Sequence, residues 1–272
     1  MRAADLELGL RLCRQAGWNQ IDSDWRRFTD MQPDGCFVAE SDAMPVGTTT
    51  TCIFGPVAWI AMVLVEVNAR RKGVATALLR HALDFLDRQG VKTIRLDATA
   101  AGQPVYEKLG FTPEYPLTRY EGTAPQVGTQ PDVTEATASS LVKIVAFDQR
   151  MTGTHREKML TRLFAESPQA LRVLYRDGQL EGYATVRRGA NAIQIGPCVA
   201  TSHAGAALLS DALNRYAGRP VFTDIPRDNA AALRIAEASG LRVQRHFTRM
   251  YRGDRINDCV EAIWASSGPE KG

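Results

Sequence analysis

The segment Val63–Thr76, Val-Leu-Val-Glu-Val-Asn-Ala-Arg-Arg-Lys-Gly-Val-Ala-Thr, narrows the folds open to this chain more than any other. It carries an apolar run through a basic turn into a helix. Trp59–Val65 is almost unbroken apolar sequence after a Gly55-Pro56 break, the pattern of a strand buried on both faces. Beyond the turn, Ala75, Leu78, Leu79, Ala82, Leu83 and Leu86 recur at helical spacing, with Arg80, Asp84, Asp87 and Arg88 mostly opposite. The first amides of such a helix have no intrahelical acceptor and sit at the positive end of its dipole, so they suit a phosphate. Arg70, Arg71 and Lys72 add fixed charge beside them, and Gly73 has no side chain to hold a ligand away.

Two familiar phosphate loops are disfavoured. A nucleotide-hydrolysing P-loop ends in Gly-Lys-Ser/Thr, whereas this turn reads Gly73-Val74-Ala75; the spaced glycines of a dinucleotide fingerprint are missing too. What remains is Arg70-x-x-Gly73-x-Ala75 after a strand ending at Val65. A second block follows. Thr93–Ala98 alternates as a strand, with Ile94, Leu96 and Ala98 on one face and Arg95 and Asp97 on the other. Then comes Thr99-Ala-Ala-Gly-Gln-Pro-Val-Tyr106-Glu-Lys-Leu-Gly110-Phe111.

Together the two blocks resemble the GCN5-related N-acetyltransferases (GNAT). Their pyrophosphate loop is Gln/Arg-x-x-Gly-x-Gly/Ala, and their later motif is Asn-x-x-Ala-x-x-x-Tyr-x-x-x-Gly-Phe. Tyr106, Gly110 and Phe111 match; Thr99 stands where Asn is usual and Gly102 where Ala is usual. The resemblance runs from about the start of the chain to Gly122. It implies acetyl-CoA as co-substrate and direct attack by a small-molecule or peptide amine. In that reading the main chain of Val63, Leu64 and Val65 meets the pantetheine arm and the thioester. Arg70, Arg71, Lys72, Gly73, Val74, Ala75 and Thr76 cradle the pyrophosphate. Thr99 donates one hydrogen bond to the arm, and Tyr106 protonates the departing thiolate. The structural alternative is that Tyr106 packs with Leu109 and Phe111 and that Arg70–Lys72 are a solvated helix start. Asp97 is a candidate general base or acceptor-binding group, with a surface carboxylate an equal reading. Trp25 and Asp30, with Arg26 and Arg27, are candidates for an acceptor pocket, because the family lays its first helices over the substrate; Trp25 in a core with Phe28 is the competing reading. Asp148 and Arg156 are a candidate pair between helices that would orient the halves, with surface charges the default reading.

The chain also repeats itself. Leu78-Leu79 and Gly110-Phe111 recur as Leu208-Leu209 and Gly240-Leu241 at a constant offset of 130 (208 − 78, and again 240 − 110). The fold expected is therefore α+β: two tandem GNAT folds, each a mixed, mostly antiparallel sheet flanked by helices. The expected division is a catalytic domain over 1–122, a Pro- and Gly-containing linker over 123–132, a second domain over 133–265, and a disordered tail over 266–272. The family's first strand has little room before Asp5. At the offset of 130, Ala200, Ser202 and His203 stand against Arg70, Lys72 and Gly73, and Ala236 against Tyr106, whereas Asn229 and Ala232 keep the family's Asn-x-x-Ala. The second half thus reads as fold retained and transfer lost, with Ser202 a candidate helix cap.

The net charge of +3 argues against nucleic acid or an anionic membrane as partner. The cysteines (Cys13, Cys36, Cys52, Cys198, Cys259) and histidines (His81, His155, His203, His246) fall into no metal-ligand spacing, which implies a reduced, cytoplasmic protein without a metal site. No run is long enough to span a membrane. A homodimer is left open, as is a different class of function, an acyl-CoA-binding regulatory module without turnover.

Overall fold

The computed structural model describes residues 1–270 and 272. The first half begins with helices α1 (Leu6–Gln15) and α2 (Asp22–Met31), followed by an antiparallel meander of β1 (Cys36–Ser41), β2 (Met44–Phe54) and β3 (Val57–Val65). Helix α3 (Val74–Arg88), strand β4 (Thr93–Ala98), the short helix α4 (Gln103–Glu107) and strand β5 (Thr112–Thr123) complete it. The second half repeats this order as β6 (Val133–Glu135), α5 (Ala138–Thr152), α6 (Glu157–Glu166), β7 (Arg172–Arg176), β8 (Gln179–Arg187), β9 (Ile193–Ala200), α7 (Ser202–Arg215), β10 (Pro220–Pro226), α8 (Ala230–Ala238) and β11 (Arg242–Gly253). A last strand, β12 (Ile263–Ala265), has no counterpart in the first half. Among the described residues no strand precedes α1, so the first half lacks an equivalent of β6.

The duplication shows in local detail. Gly110 and Gly240 both take left-handed φ (86° and 75°) just past α4 and α8, where glycine alone escapes the Cβ penalty. Leu78 and Leu79 on α3, like Leu208 and Leu209 on α7, are buried against the sheet.

The sheet does not divide as the sequence does. Its order is β1-β2-β3-β4-β11-β5-β10-β9-β8-β7-β6, with β12 added on β9. The last strands are exchanged: β11 pairs with β4 from Thr248↔Ala98 to Gly253↔Thr93, and β5 pairs with β10 from Pro220↔Thr123 to Pro226↔Leu117. They also pair with each other, which joins both halves into one continuous sheet. This corrects the division into 1–122 and 133–265, because each half is closed by the other's final strand. The physical reason lies in the repeat and in the link between halves. The two strands are equivalent in length and place, so either fits either half. The segment after β5 is held against the second half through Ala124 N–H to Arg219 O and Gly218 N–H to Ala124 O, both 2.9 Å, rather than running free as a linker.

One apolar core spans both halves. Leu12, Trp25 and Phe28 from α1 and α2 meet Ile144, Phe147 and Leu160 from α5 and α6. The opposite face carries two separate cores, one under α3 and α4 and one under α7 and α8. The expected disordered tail is also corrected. Ser266, Ser267 and Glu270 are buried, the Pro269 carbonyl accepts from the Trp59 indole (3.3 Å), and the Gly272 carbonyl accepts from Arg156 (2.7 Å). The described residues of the tail are held because they supply acceptors to buried donors that have few others; Lys271 lies outside the described residues. Asp148 and Arg156 do pair, through two hydrogen bonds of 3.0 and 2.5 Å in the interior, between α5 and the start of α6. No helix among the described residues is long and apolar enough to cross a membrane.

Strand exchange predicts that a fragment of residues 1–122 lacks the neighbour β4 needs, and exposes β5 without β10. Such a fragment should fail to form a monomer with cooperative urea unfolding, as read by size-exclusion chromatography and circular dichroism. A monomeric fragment with a sharp transition would contradict the exchange.

Candidate active site

Strands β3 and β4 pair in parallel at Val57↔Thr93, Ala58↔Ile94 and Trp59↔Arg95, and then part. The cause lies in β3. Met62 takes a left-handed φ of 50°, and the β2–β3 register slips between Thr48 and Thr50. An extra residue of this kind bends and twists its strand. A left-handed methionine costs ~1–3 kcal/mol and persists only where its surroundings fix it. Here the buried hydroxyls of Thr48 and Thr49 donate to the carbonyls of Met62 (2.9 Å) and Ala61 (3.3 Å). From Ile60 onward β3 has no strand on its β4 side, and its main chain faces the gap. A cavity of about 490 Å³ fills this fork, within the ~300–1,000 Å³ usual for ligand pockets. The structure brings Val63–Val65, the turn residues Arg70, Arg71 and Gly73–Thr76, Asp97, Thr99 and Tyr106 to its walls. Lys72 is exposed beside the turn.

The turn is built as an anion cradle. Gly73 caps α3 with φ 84°, and no atom lies within 4 Å of where its Cβ would sit. The first hydrogen bond inside the helix is Ala77 N–H to Gly73 O (2.9 Å), and no side chain caps the end. The amides of Val74, Ala75 and Thr76 therefore have no acceptor among the described residues. Arg70 Nε donates to Val65 O (3.0 Å), which ties the turn to the end of β3. Free amides, an open glycine and adjacent arginines fit a diphosphate.

Both readings of Tyr106 hold in part. Its ring packs edge-on against Phe111 at 5.9 Å, and it also lines the cavity. Burial pushes its hydroxyl pKa up to about 12, so it keeps its proton at neutral pH. Thr99 Oγ1 accepts the Gly102 amide (3.2 Å), which leaves its own proton to donate. The glycine that replaces the family's alanine has a local reason: a Cβ on Gly102 would come to 3.1 Å from the Tyr106 ring.

Other expected site residues are placed differently. Asp97 is neither a free base nor a surface carboxylate. Its two oxygens accept from Arg249 at 2.9 and 3.0 Å, in the interior, and Arg249 also donates to Tyr115 Oη (2.7 Å) and lies over Trp59. Burial raises the Asp97 pKa, against the stabilising charge of Arg249. Trp25 and Asp30 do not line the cavity, which corrects their acceptor-site assignment. Trp25 is fully buried with Phe28, against Gly9, where a Cβ would lie 2.6 Å from the indole. Asp30 faces outward and pairs with Arg162 of α6 (2.8 Å). The far wall is made instead by Trp18, Gln20, Arg119, Arg245, Phe247, Pro269 and Glu270. These come from the segment between α1 and α2, the exchanged strands and the tail, which no periodicity brings together. Among them only Arg119 carries a local signal, since Thr118-Arg119 recurs as Thr248-Arg249 at the same offset of 130 (248 − 118).

The second half has the same fork, and the chain itself fills it. Strands β9 and β10 pair in parallel only from Ile193↔Val221 to Ile195↔Thr223. Strand β12 enters beyond that point. It pairs with β9 at Ile263↔Val199 and Ala265↔Cys198, and Ser266 N–H donates to Asp224 O of β10 (2.7 Å). Asn229 Nδ2 donates to Glu261 O (2.9 Å) and Ile263 O (3.2 Å). Trp264 packs on Gly205 of α7, where a Cβ would lie 1.9 Å from its ring. The N-cap of α7 is Thr201 rather than Ser202, and its hydroxyl bonds Glu181 (2.6 Å).

Comparison with known proteins agrees with this geometry. The family model "Acetyltransferase (GNAT) family" matches residues 8–111, and "Acetyltransferase (GNAT) domain" matches residues 144–265. The chain is 28% identical to an uncharacterised N-acetyltransferase, YitH, of Bacillus subtilis, covering 82% of this chain and 79% of that one. It is 25% identical to the holothin acyltransferase of a Pseudoalteromonas species, covering 94% and 87%. The crystal structure of a putative acetyltransferase from Pyrococcus horikoshii superposes with a TM-score of 0.86 at 26% identity, covering all of this chain and 94% of that one. A tandem GNAT protein from the clavulanic acid biosynthesis pathway shares the fold, with a TM-score of 0.59 at 16% identity over 88% and 90% of the two chains.

The unequal forks predict one coenzyme A per chain in a calorimetric titration. Gly73→Glu should weaken binding more than about tenfold, by ~1.4 kcal/mol or more, while circular dichroism stays native. Two sites, or unchanged affinity in the variant, would contradict the assignment of the cradle.

Proposed function

We propose that this chain, an acyltransferase that belongs to the GNAT family through two such domains in tandem, moves an acetyl group from acetyl-CoA to an amine, and does so in the first fork alone. The observation that carries this reading is the contrast between forks: one is open beside an uncapped helix, the other is filled by β12. Bound acetyl-CoA supplies an activated thioester carbonyl.

The residues of the first half hold the reactants and handle the proton. The amides of Val74–Thr76, with Arg70, Arg71 and Lys72, take the diphosphate, where the helix dipole and fixed charge add to hydrogen bonding. The free edge of β3 from Ile60 to Val65 offers main-chain donors to the pantetheine arm and to the carbonyl oxygen, and donors fixed in place stabilise an oxyanion without reorganising. Thr99 offers its remaining proton to the arm. Most of the rate comes from holding acceptor and donor together in this cleft. Tyr106 then gives its proton to the departing sulfur. Burial that raises the phenol pKa to about 12 also penalises a thiolate in the same cavity, so burial disfavours both anions together.

A second reading, an acyl-CoA-binding module without turnover, has one observation in its favour: Asp97 is committed to Arg249, so this carboxylate is not a free base. Free thiol released from acetyl-CoA across an amine panel separates the two, and tight binding with no release from any amine would favour the module.

Tyr106→Phe should lower kcat by about 100-fold, within the range for a lost general acid, and leave acetyl-CoA affinity within about twofold. A phenol titrating near 12 acts as an acid below that pH, so its loss of activity should appear only on the far alkaline side. Unchanged kcat in the variant would contradict this role, and an alkaline fall centred below about pH 10 that disappears in it would contradict the raised pKa.

A further inference from the structure

The end of the cavity beyond β4 carries one half-buried arginine that no carboxylate of the described residues pairs with directly. Four charged side chains line that region: Asp97, Arg119, Arg245 and Glu270. Three are matched. Asp97 is held by Arg249, and Glu270 pairs with Arg187. Arg119 makes two hydrogen bonds to Asp224 (2.7 and 2.8 Å), with its guanidinium between the rings of Phe222 and Phe247, each 5.2 Å away. Arg245 stands directly opposite Arg119 across β5 and β11, after a slip in register at Val243/Arg245, an irregularity that re-aims side chains. Its Nε donates to Gln244 Oε1 (3.0 Å), and no carboxylate of the described residues lies within ion-pair distance. Glu121, the nearest acid on β5, is engaged by Gln244 (2.5 Å). Burial first, then the charge of Arg119, lowers the Arg245 pKa, against the more distant carboxylates of Asp224 and Glu121.

We propose that Arg245 binds an anionic group on the amine acceptor, in the simplest case a carboxylate, so that the substrate class is an amine bearing an acid. The inference rests on the acetyl-transfer reading. A planar guanidinium with its two terminal nitrogens free matches a carboxylate edge-on with two charge-assisted hydrogen bonds. Trp18 and Phe247 line the same region, so an apolar portion between amine and acid is accommodated. The cofactor's phosphates have their own cradle on the other side of β4. Arg245 would be a specificity-determining residue, not part of the proton transfer.

The test uses the full chain with acetyl-CoA, measuring free thiol. Phenylalanine and the amino acids from glycine to 6-aminohexanoate are each compared with their carboxamides, with one aminophosphonate and one aminosulfonate to tell carboxylate from other anions. At least one acid should be used about tenfold or more better than its carboxamide, the scale of a lost charge-assisted pair. Arg245→Gln should erase that preference through KM, with coenzyme A affinity unchanged, and Arg245→Lys should keep part of it. Carboxamides used as well as acids, or equal losses on both in Arg245→Gln, would overturn the proposal. If no amine releases thiol, the transfer reading fails, and calorimetry of the CoA-loaded chain with N-acetylphenylalanine decides the anion site. Binding that Arg245→Gln abolishes would keep the site, and no binding, or binding the variant retains, would remove it.

Discussion

The pairing of β5 with β11 is the constraint on which the rest of this structure depends. Each strand leaves its own half, closes the other, and meets its equivalent in the middle of a single sheet. Two things follow. The halves cannot shift against one another without breaking main-chain hydrogen bonds, so the arrangement is rigid where the cavity lies. The exchanged strands also bring side chains of the second half, Arg245, Phe247 and Arg249, beside β4 of the first. The second half thus contributes side chains to the wall of the cavity.

Beneath the tail, this arrangement buries several arginines. Arg95 meets Glu114 and Asp258, Arg249 meets Asp97, Arg119 meets Asp224, and Arg156 meets Asp148. Taking such charges out of water costs several kcal/mol per ion, repaid only when geometry and further hydrogen bonds are good. The pairs are accordingly bidentate or shared, and Tyr115, Tyr183, Ser266 and the Gly272 carbonyl take further donors or acceptors. These pairs specify one position for the tail, which then lines the cavity through Pro269 and Glu270.

Much of this was legible in the sequence where the signal is local. Apolar spacing on α3, the alternation of β4, the glycines after α4 and α8 and the offset of 130 each report a preference that acts within one element, and the structure places them accordingly. The turn at Gly73 was legible for the same reason: a left-handed glycine and an uncapped helix are decided by a few residues. What could not be read depended on partners far along the chain. Strand β5 fits two edges equally well by pattern, so nothing local says that it crosses to β10. Asp97 shows alternation but not Arg249, its partner 152 residues away. Trp25 was open between core and pocket because an apolar aromatic suits both, and only the seat on Gly9 decides. The ordered tail is short and polar, and its hold on Trp59 and Arg156 is a tertiary fact.

The two forks state the functional argument in one molecule. Both open where a parallel strand pair parts beside a register slip in the preceding hairpin, at Thr48/Thr50 in one half and Ala184/Val186 in the other, and they differ in what fills them. In the second, Asn229, which keeps the family's motif, holds the carbonyls of Glu261 and Ile263, so the chain's own strand occupies the gap. In the first, the corresponding gap is open and the helix beyond it is uncapped. Amide hydrogen exchange with and without coenzyme A tests this contrast most directly. The account predicts slowed exchange at Val74–Thr76 and along Ile60–Val65, with β12 and the start of α7 unchanged. Protection at Ser202–Ala204 or in β12 without protection at Val74–Thr76, or none anywhere, would contradict it.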